Sequence, residues 1–271
     1  MLTYRFMQIA FTVCFLLGLV VPLVGSSAVY KRLSSSGDAL AHSSLAGIVI
    51  GLVSGLNPLF ISIISCIVSF FIIELLRKKF NKYSEIGVAV VLSLSIGLSG
   101  VLSSFTTASN FDSYLFGSIL LISDTELYIT IALTVIILIF SVVFYFQLFS
   151  TLYSEVESKV AKIKINLLTI FQDLLLSITI AVGCKVVGSL VISSLIVLPT
   201  AIALQLKKGY FVTLISSIIF SISSMLIGLT MSYYLNLKPG ATIVLLQVGI
   251  LILLFIYNYI KGKIKFKKQR K

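Results

Sequence analysis

Apolar runs of about twenty residues recur along this chain, separated by short basic clusters and by turns such as Gly55-Leu56-Asn57-Pro58 and Lys238-Pro239-Gly240. Few folds accept that pattern. A run of that length crosses a ~30 Å hydrocarbon core as an α-helix. Inside lipid, a helix satisfies every backbone donor and acceptor within one segment. The alternation of apolar and polar residues that marks an outer-membrane barrel is absent. Hydrophobic residues make up 58% of the 271, charged residues 11%, and the mean hydropathy is +1.13. A soluble domain of this size has no use for so much apolar surface. The fold class is therefore all-α, a polytopic transmembrane helical bundle.

Nine spans are predicted, near 6–29, 39–56, 58–76, 85–104, 127–149, 167–184, 186–206, 210–234 and 241–260, with eight as the alternative count. The segment 105–126 is too polar for an ordinary span and reads as a short re-entrant or interfacial helix. Lysine and arginine test the count. With the N-terminus outside, 18 of them fall in cytoplasmic segments and 3 (Arg5, Lys185, Lys238) outside. Such a split is the positive-inside pattern, and removing one span would invert every later loop. Asp112, Asp124 and Glu126 then lie outside. The whole of 1–271 reads as one membrane domain, with a cytoplasmic loop at 150–166 and a basic tail at 261–271. The tail suits an anchor on anionic headgroups.

The net charge of +12 raises nucleic acid as a partner, but the cations sit between apolar runs, which is a topological placement. No small-residue cleavage site follows the first run, so it reads as a span and not as a removable signal. Cys14, Cys66 and Cys184 lie far apart in apolar surroundings, as inert buried thiols do. No GxxxxGK[ST], HExxH or GxSxG is present. No ATP site, protease site or hydrolase nucleophile is expected here.

Ionisable groups inside a span are costly, and their default reading is functional. Gly37-Asp38-Ala39-Leu40-Ala41-His42 holds the chain's one histidine. Asp38 and His42, four apart, stack on one helix face. Two readings fit. Ser35 can cap the helix with Asp38 at its third position, a capping box. Alternatively the carboxylate and imidazole hold a divalent metal. Two ligands do not close a structural zinc site, but they suit a station an ion must enter and leave. Two copies in a homodimer would supply four.

Val191 to Ala201 carries Ser193, Ser194 and Pro199. Pro199 lacks an N–H and frees the carbonyl of Leu195. A kinked span with nearby hydroxyls either lines a pathway or marks a packing kink. Asp173, beside Gln172 in the sixth run, is a candidate to face the bundle interior. The loop 150–166 mixes Glu155, Glu157, Lys159, Lys162 and Lys164, as a solvated loop or a docking helix for a partner would.

Together these motifs resemble the membrane permease subunits of metal ABC importers, the zinc, manganese and iron group. Val24-Gly25-Ser26 through Tyr30-Lys31-Arg32 to Gly37–His42, with Gly47, Gly51, Asn57 and Pro58, is the most specific part and is most similar to zinc permeases. Tyr114-Leu115-Phe116-Gly117, Lys185-Val186-Val187-Gly188 with Leu198-Pro199 and Ala201, and Pro239-Gly240 match further motifs. The resemblance implies a type II-like importer fold and a homodimer with the pathway between protomers. It implies separate ABC ATPase subunits docked on 150–166, and an extracytoplasmic metal-binding protein. The multi-pass chain would lie in a bacterial inner membrane, bind no permanent cofactor, and transport zinc, with manganese or iron as alternatives. Asp38 and His42 map onto the family's acid and histidine of the metal pathway. Ser158 and Lys164 occupy the ATPase-docking positions, where relatives carry a small residue and a glycine, so lysine for glycine is a departure. A stand-alone secondary transporter would need coupling residues beyond Asp38, His42 and Asp173, and no inverted repeat is visible. A membrane scaffold would leave Asp38 and His42 without purpose.

Overall fold

In the computed structural model the described residues are 4–31, 33–80, 83–105, 114–115, 117, 122–153 and 165–269. Among them run ten helices: α1 (Arg5–Tyr30), α2 (Ser34–Ser54), α3 (Pro58–Phe80), α4 (Ser84–Ser103), α5 (Asp124–Val143), α6 (Tyr145–Tyr153), α7 (Ile165–Val187), α8 (Ser189–Leu204), α9 (Tyr210–Leu235) and α10 (Pro239–Gln269). Eight are long and apolar enough to cross a membrane; α8, at 16 residues, falls short of that length. It spans ~24 Å.

The helix ends sort into two faces. On one, Arg5 opens α1 and bonds Asp124 at the start of α5, at 2.9 Å. Lys185 at the end of α7 pairs there with Glu126. On the other, Tyr30 at the end of α1 stacks edge-on against Tyr210 at the start of α9, 5.4 Å between ring centres. Tyr145 and Phe149 of α6 join the same aromatic cluster. The short α8 runs from one face to the other. It leaves the Lys185 end of α7, and just past its last turn the Gln205 carbonyl accepts a bond from Asn258 Nδ2, late in α10, at 2.8 Å. Among the described residues, eight helices long enough to span a membrane and the shorter α8 run between these faces. A helix packed against α1, α2, α7, α9 and α10 has little lipid to match in length.

Burial separates the helices. Beside a core of buried aliphatic side chains, many serines and threonines are buried between the helices, as expected where lipid supplies no hydrophobic drive and helices bind by close packing and shared polar groups. α2 is the most enclosed span, with 72% of its central window buried. Three hydrogen bonds fasten it to two neighbours: Ser43 to Ser95 of α4 at 2.7 Å, Ser44 to Ser62 of α3 at 2.7 Å, and Ser65 of α3 to the Ser43 carbonyl at 2.8 Å. Cys66 of α3 and Cys184 of α7 donate to the successive carbonyls of Leu40 and Ala41.

Two sequence expectations need correction. The fifth span ends at Val143, not near 149. Phe144 leaves helical geometry, and the chain restarts as α6, turned so that Tyr145 and Phe149 meet Tyr210. Second, Ser35 does not cap α2. The cap position is Leu33, without a side-chain bond, and its carbonyl takes the Ser36 N–H at 3.0 Å. Leu33 N–H itself reaches back to Ala28 O at 2.7 Å, so α1 runs almost directly into α2 and leaves no extended residue at 35. A real capping box stands at α5 instead, between Ser123 and Glu126.

Candidate functional site

α2 is closed except at two patches, one around Ser35, Asp38 and His42 and one at its far end. Ser35, Asp38, Ile50 and Val53 are exposed and His42 is half-buried, while nearly every other residue from 36 to 51 is buried. The step of four keeps Asp38 and His42 on one face, and the buried Leu45, Ala46 and Val49 separate them from Ile50 and Val53. The first patch of the most enclosed helix thus carries the chain's one histidine and an acid one turn away, each within electrostatic reach of the other.

The pair brings one carboxylate and one imidazole. Among the described residues no group of three or more histidines, cysteines or acids comes together. A transition metal at Asp38 and His42 would need its remaining ligands from water or from a second copy. The capping alternative loses its ground, because Asp38 lies a turn beyond the helix start and its carboxylate is exposed.

On α8, Ser193, Ser194, Val197, Leu198 and Ala201 form the half-buried side, and Pro199 with Thr200 the buried one. Ser193 and Ser194 therefore share a partly open side that Pro199 does not. The Thr200 hydroxyl beside Pro199 is buried without a partner among the described residues. Glu155, Glu157, Ser158 and Lys164 lie outside the described residues.

Three of the sequence motifs meet on the Arg5 face. Gly117 adopts φ +78° and Gly188 φ +105°, conformations that favour glycine. A Cβ on Gly117 would collide with the Val187 carbonyl and press the Gly188 nitrogen. So Gly117, the last residue of the Tyr114–Gly117 motif, lies directly on the bend between α7 and α8. Beside it, Gly55–Phe60 and Ser123–Ile129 line a cavity with Lys185. Sequence reading missed this convergence, the Glu126–Lys185 pair and the surroundings of Asp173, since all depend on contacts between distant segments.

A bundle of this kind, with eight helices long and apolar enough to cross a membrane and an acid and a histidine on its most enclosed span, has the architecture of a multi-pass membrane protein. The chain belongs to the ABC 3 transport family, whose model matches residues 3–258. It is 39% identical over 254 residues to a probable metal transport system membrane protein of Treponema pallidum, covering 93% of this chain and 96% of that one. Identity to the manganese transport system membrane protein MntC of Listeria monocytogenes is 26%, over 99% of this chain and 96% of the other. The fold matches a chain of PsaBC from Streptococcus pneumoniae in complex with Fab, with a TM-score of 0.83 at 24% identity, covering 94% and 92%.

Proposed function

We propose that this chain is the membrane permease of an ABC importer that carries a divalent transition-metal ion into the cell, with ATP hydrolysed by a separate subunit. One observation carries the reading: Asp38 and His42 share an open patch of an otherwise largely enclosed central helix. Two copies apposed at that patch would offer two carboxylates and two imidazoles, a binding and releasing station between protomers. The positive-inside rule assigns the Tyr30 face, with Lys31, Arg77, Lys207 and Lys208, to the cytoplasm. ATPase subunits dock there on the segment 150–166, and an extracytoplasmic binding protein loads the Arg5 face. The membrane is the inner membrane of a bacterium.

Zinc is the ion the motif resemblance favours, and imidazole suits it. Manganese is the second reading, supported by the naming of the Listeria relative and by the carboxylate half of the pair. The test is uptake of radiolabelled zinc and manganese in cells lacking this chain and in cells with it restored. Restored, ATP-dependent uptake of either ion is expected, together with co-purification of an ATPase. Uptake that persists when that ATPase is deleted would make the chain a secondary transporter.

A further inference from the structure

The Asp38–His42 patch occupies one side of α2, and a second charged cluster lies against another. Arg77, in the last turn of α3, donates through Nη2 to Ser36 Oγ at 3.1 Å, in the first turn of α2. A helix N-terminus carries the positive end of the backbone dipole, so a cation there is misplaced unless acids offset it. Two acids do. Glu74 Oε2 lies 3.8 Å from Arg77 Nη1. Asp173 of α7 lines the same small cavity as Arg77 and Ser36, and Lys31, Arg77 and Glu74 are all within electrostatic reach of its carboxylate.

The cluster is incompletely satisfied. Arg77 Nε is buried and has no hydrogen-bond partner among the described residues. The void that Arg77 and Asp173 line is about 20 Å³, room for one water. Arg77 thus holds Ser36 and faces Glu74, and Asp173 of α7 lines the remaining space beside it. α7 packs directly on α3 and α2, and it is the helix that follows the segment 150–166 in the chain.

We propose that Arg77 and Asp173 are a positioning pair that transmits movement of α7 to the first turn of α2 and thereby sets Asp38 and His42. The inference rests on the importer reading above. Ser36 stands two residues before Asp38 on the same rigid helix, so a shift at Ser36 moves the metal pair without either charge touching the ion.

The test uses the full complex with its ATPase and binding protein in proteoliposomes. ATP hydrolysis and uptake of radiolabelled manganese and zinc are measured together. In Asp173→Asn and Arg77→Gln, ions moved per ATP should fall about tenfold, the scale of an ordinary coupling free energy. Hydrolysis should stay within about twofold of the unaltered complex, because neither residue faces the nucleotide. The reversed pair, Arg77→Asp with Asp173→Arg, should recover part of the ratio. An unchanged ratio in both single variants would overturn the proposal, as would hydrolysis and uptake falling in step. So would failure of the isosteric Asp173→Asn chain to assemble, which would make the pair a structural tie. A reversed pair no better than either single variant would overturn it too. If the unaltered complex shows no ATP-dependent uptake, the importer reading itself fails, whatever the variants do.

Discussion

Lys185 and Glu126, on different helices, form an ion pair with side chains only 19% and 10% exposed. Glu126 has two tasks. One carboxylate oxygen faces Lys185 Nζ, and the other accepts the Ser123 N–H at 3.0 Å to complete the capping box of α5. Glu126→Gln separates the tasks, because glutamine also serves at that box position. It leaves Lys185 charged and largely enclosed without its partner. Breaking an enclosed pair from one side costs about 3 kcal/mol. The expected result is a lower thermal unfolding midpoint in detergent for Glu126→Gln and for Lys185→Met, with the two losses well short of additive in the double variant. Additive losses would show that the pair contributes nothing jointly.

Gly117 lies on the Val187–Gly188 peptide with no room for a Cβ. Gly117→Ala therefore faces both a collision and a positive φ, and the bend between α7 and α8 must give way. Gly97 and Gly249 sit in helices with open space around them. There alanine should be neutral or slightly stabilising, as in any helix interior. The yield of monodisperse protein by size-exclusion chromatography should drop severely for Gly117→Ala and stay level for the two controls.

Span positions were legible because lipid dictates length and polarity, and each apolar run had to be one helix. The break at Phe144 was not, because it follows from an aromatic cluster built with Tyr30 and Tyr210 from distant parts of the chain. The reduced length of α8 also escaped, since hydropathy cannot tell a lipid-facing helix from one packed among five others. Asp38 and His42 stood out as ionisable residues four apart in an apolar run, one of them the single histidine. That they share an open patch of the most enclosed helix required the bundle. Ser35 read as a cap because its residue type fits one, and the Leu33-to-Ala28 bond that moves the helix start back is invisible in composition. Arg5 and Lys185 counted as outside cations without an evident partner until the fold placed Asp124 and Glu126 against them.

Ile50, two turns past His42 on α2, is exposed again beyond the buried Leu45, Ala46 and Val49. If two copies meet along α2, a cysteine there faces its counterpart. Ile50→Cys should form a disulfide-linked dimer in membranes on mild oxidation. The native thiols Cys14, Cys66 and Cys184 are buried and should not cross-link. A cysteine at Leu253, exposed on α10, is the comparison. Equal dimer yield from both positions would argue for random collision in the membrane.

The sharpest expectation concerns Asp38. Asparagine keeps its size and its hydrogen-bonding oxygen but removes the charge. Because Leu33, not Ser35, precedes the first turn, and because the Asp38 carboxylate is exposed, no cap is lost in Asp38→Asn. Folding should be unaffected, and the dimer and ATPase should assemble at ordinary levels. Metal uptake should nevertheless fall by more than about tenfold, since losing even a residue behind a metal ligand costs about 10–100-fold. His42→Ala should behave likewise. The imidazole is half-buried, so its removal opens a small gap, and His42→Gln serves as the variant that fills it. Uptake of zinc and of manganese should be measured side by side at matched membrane expression. If loss of the carboxylate weakens manganese uptake more than zinc uptake, and loss of the imidazole does the reverse, each donor favours a different ion. Wild-type rates for both ions in both variants would remove the pair from the pathway.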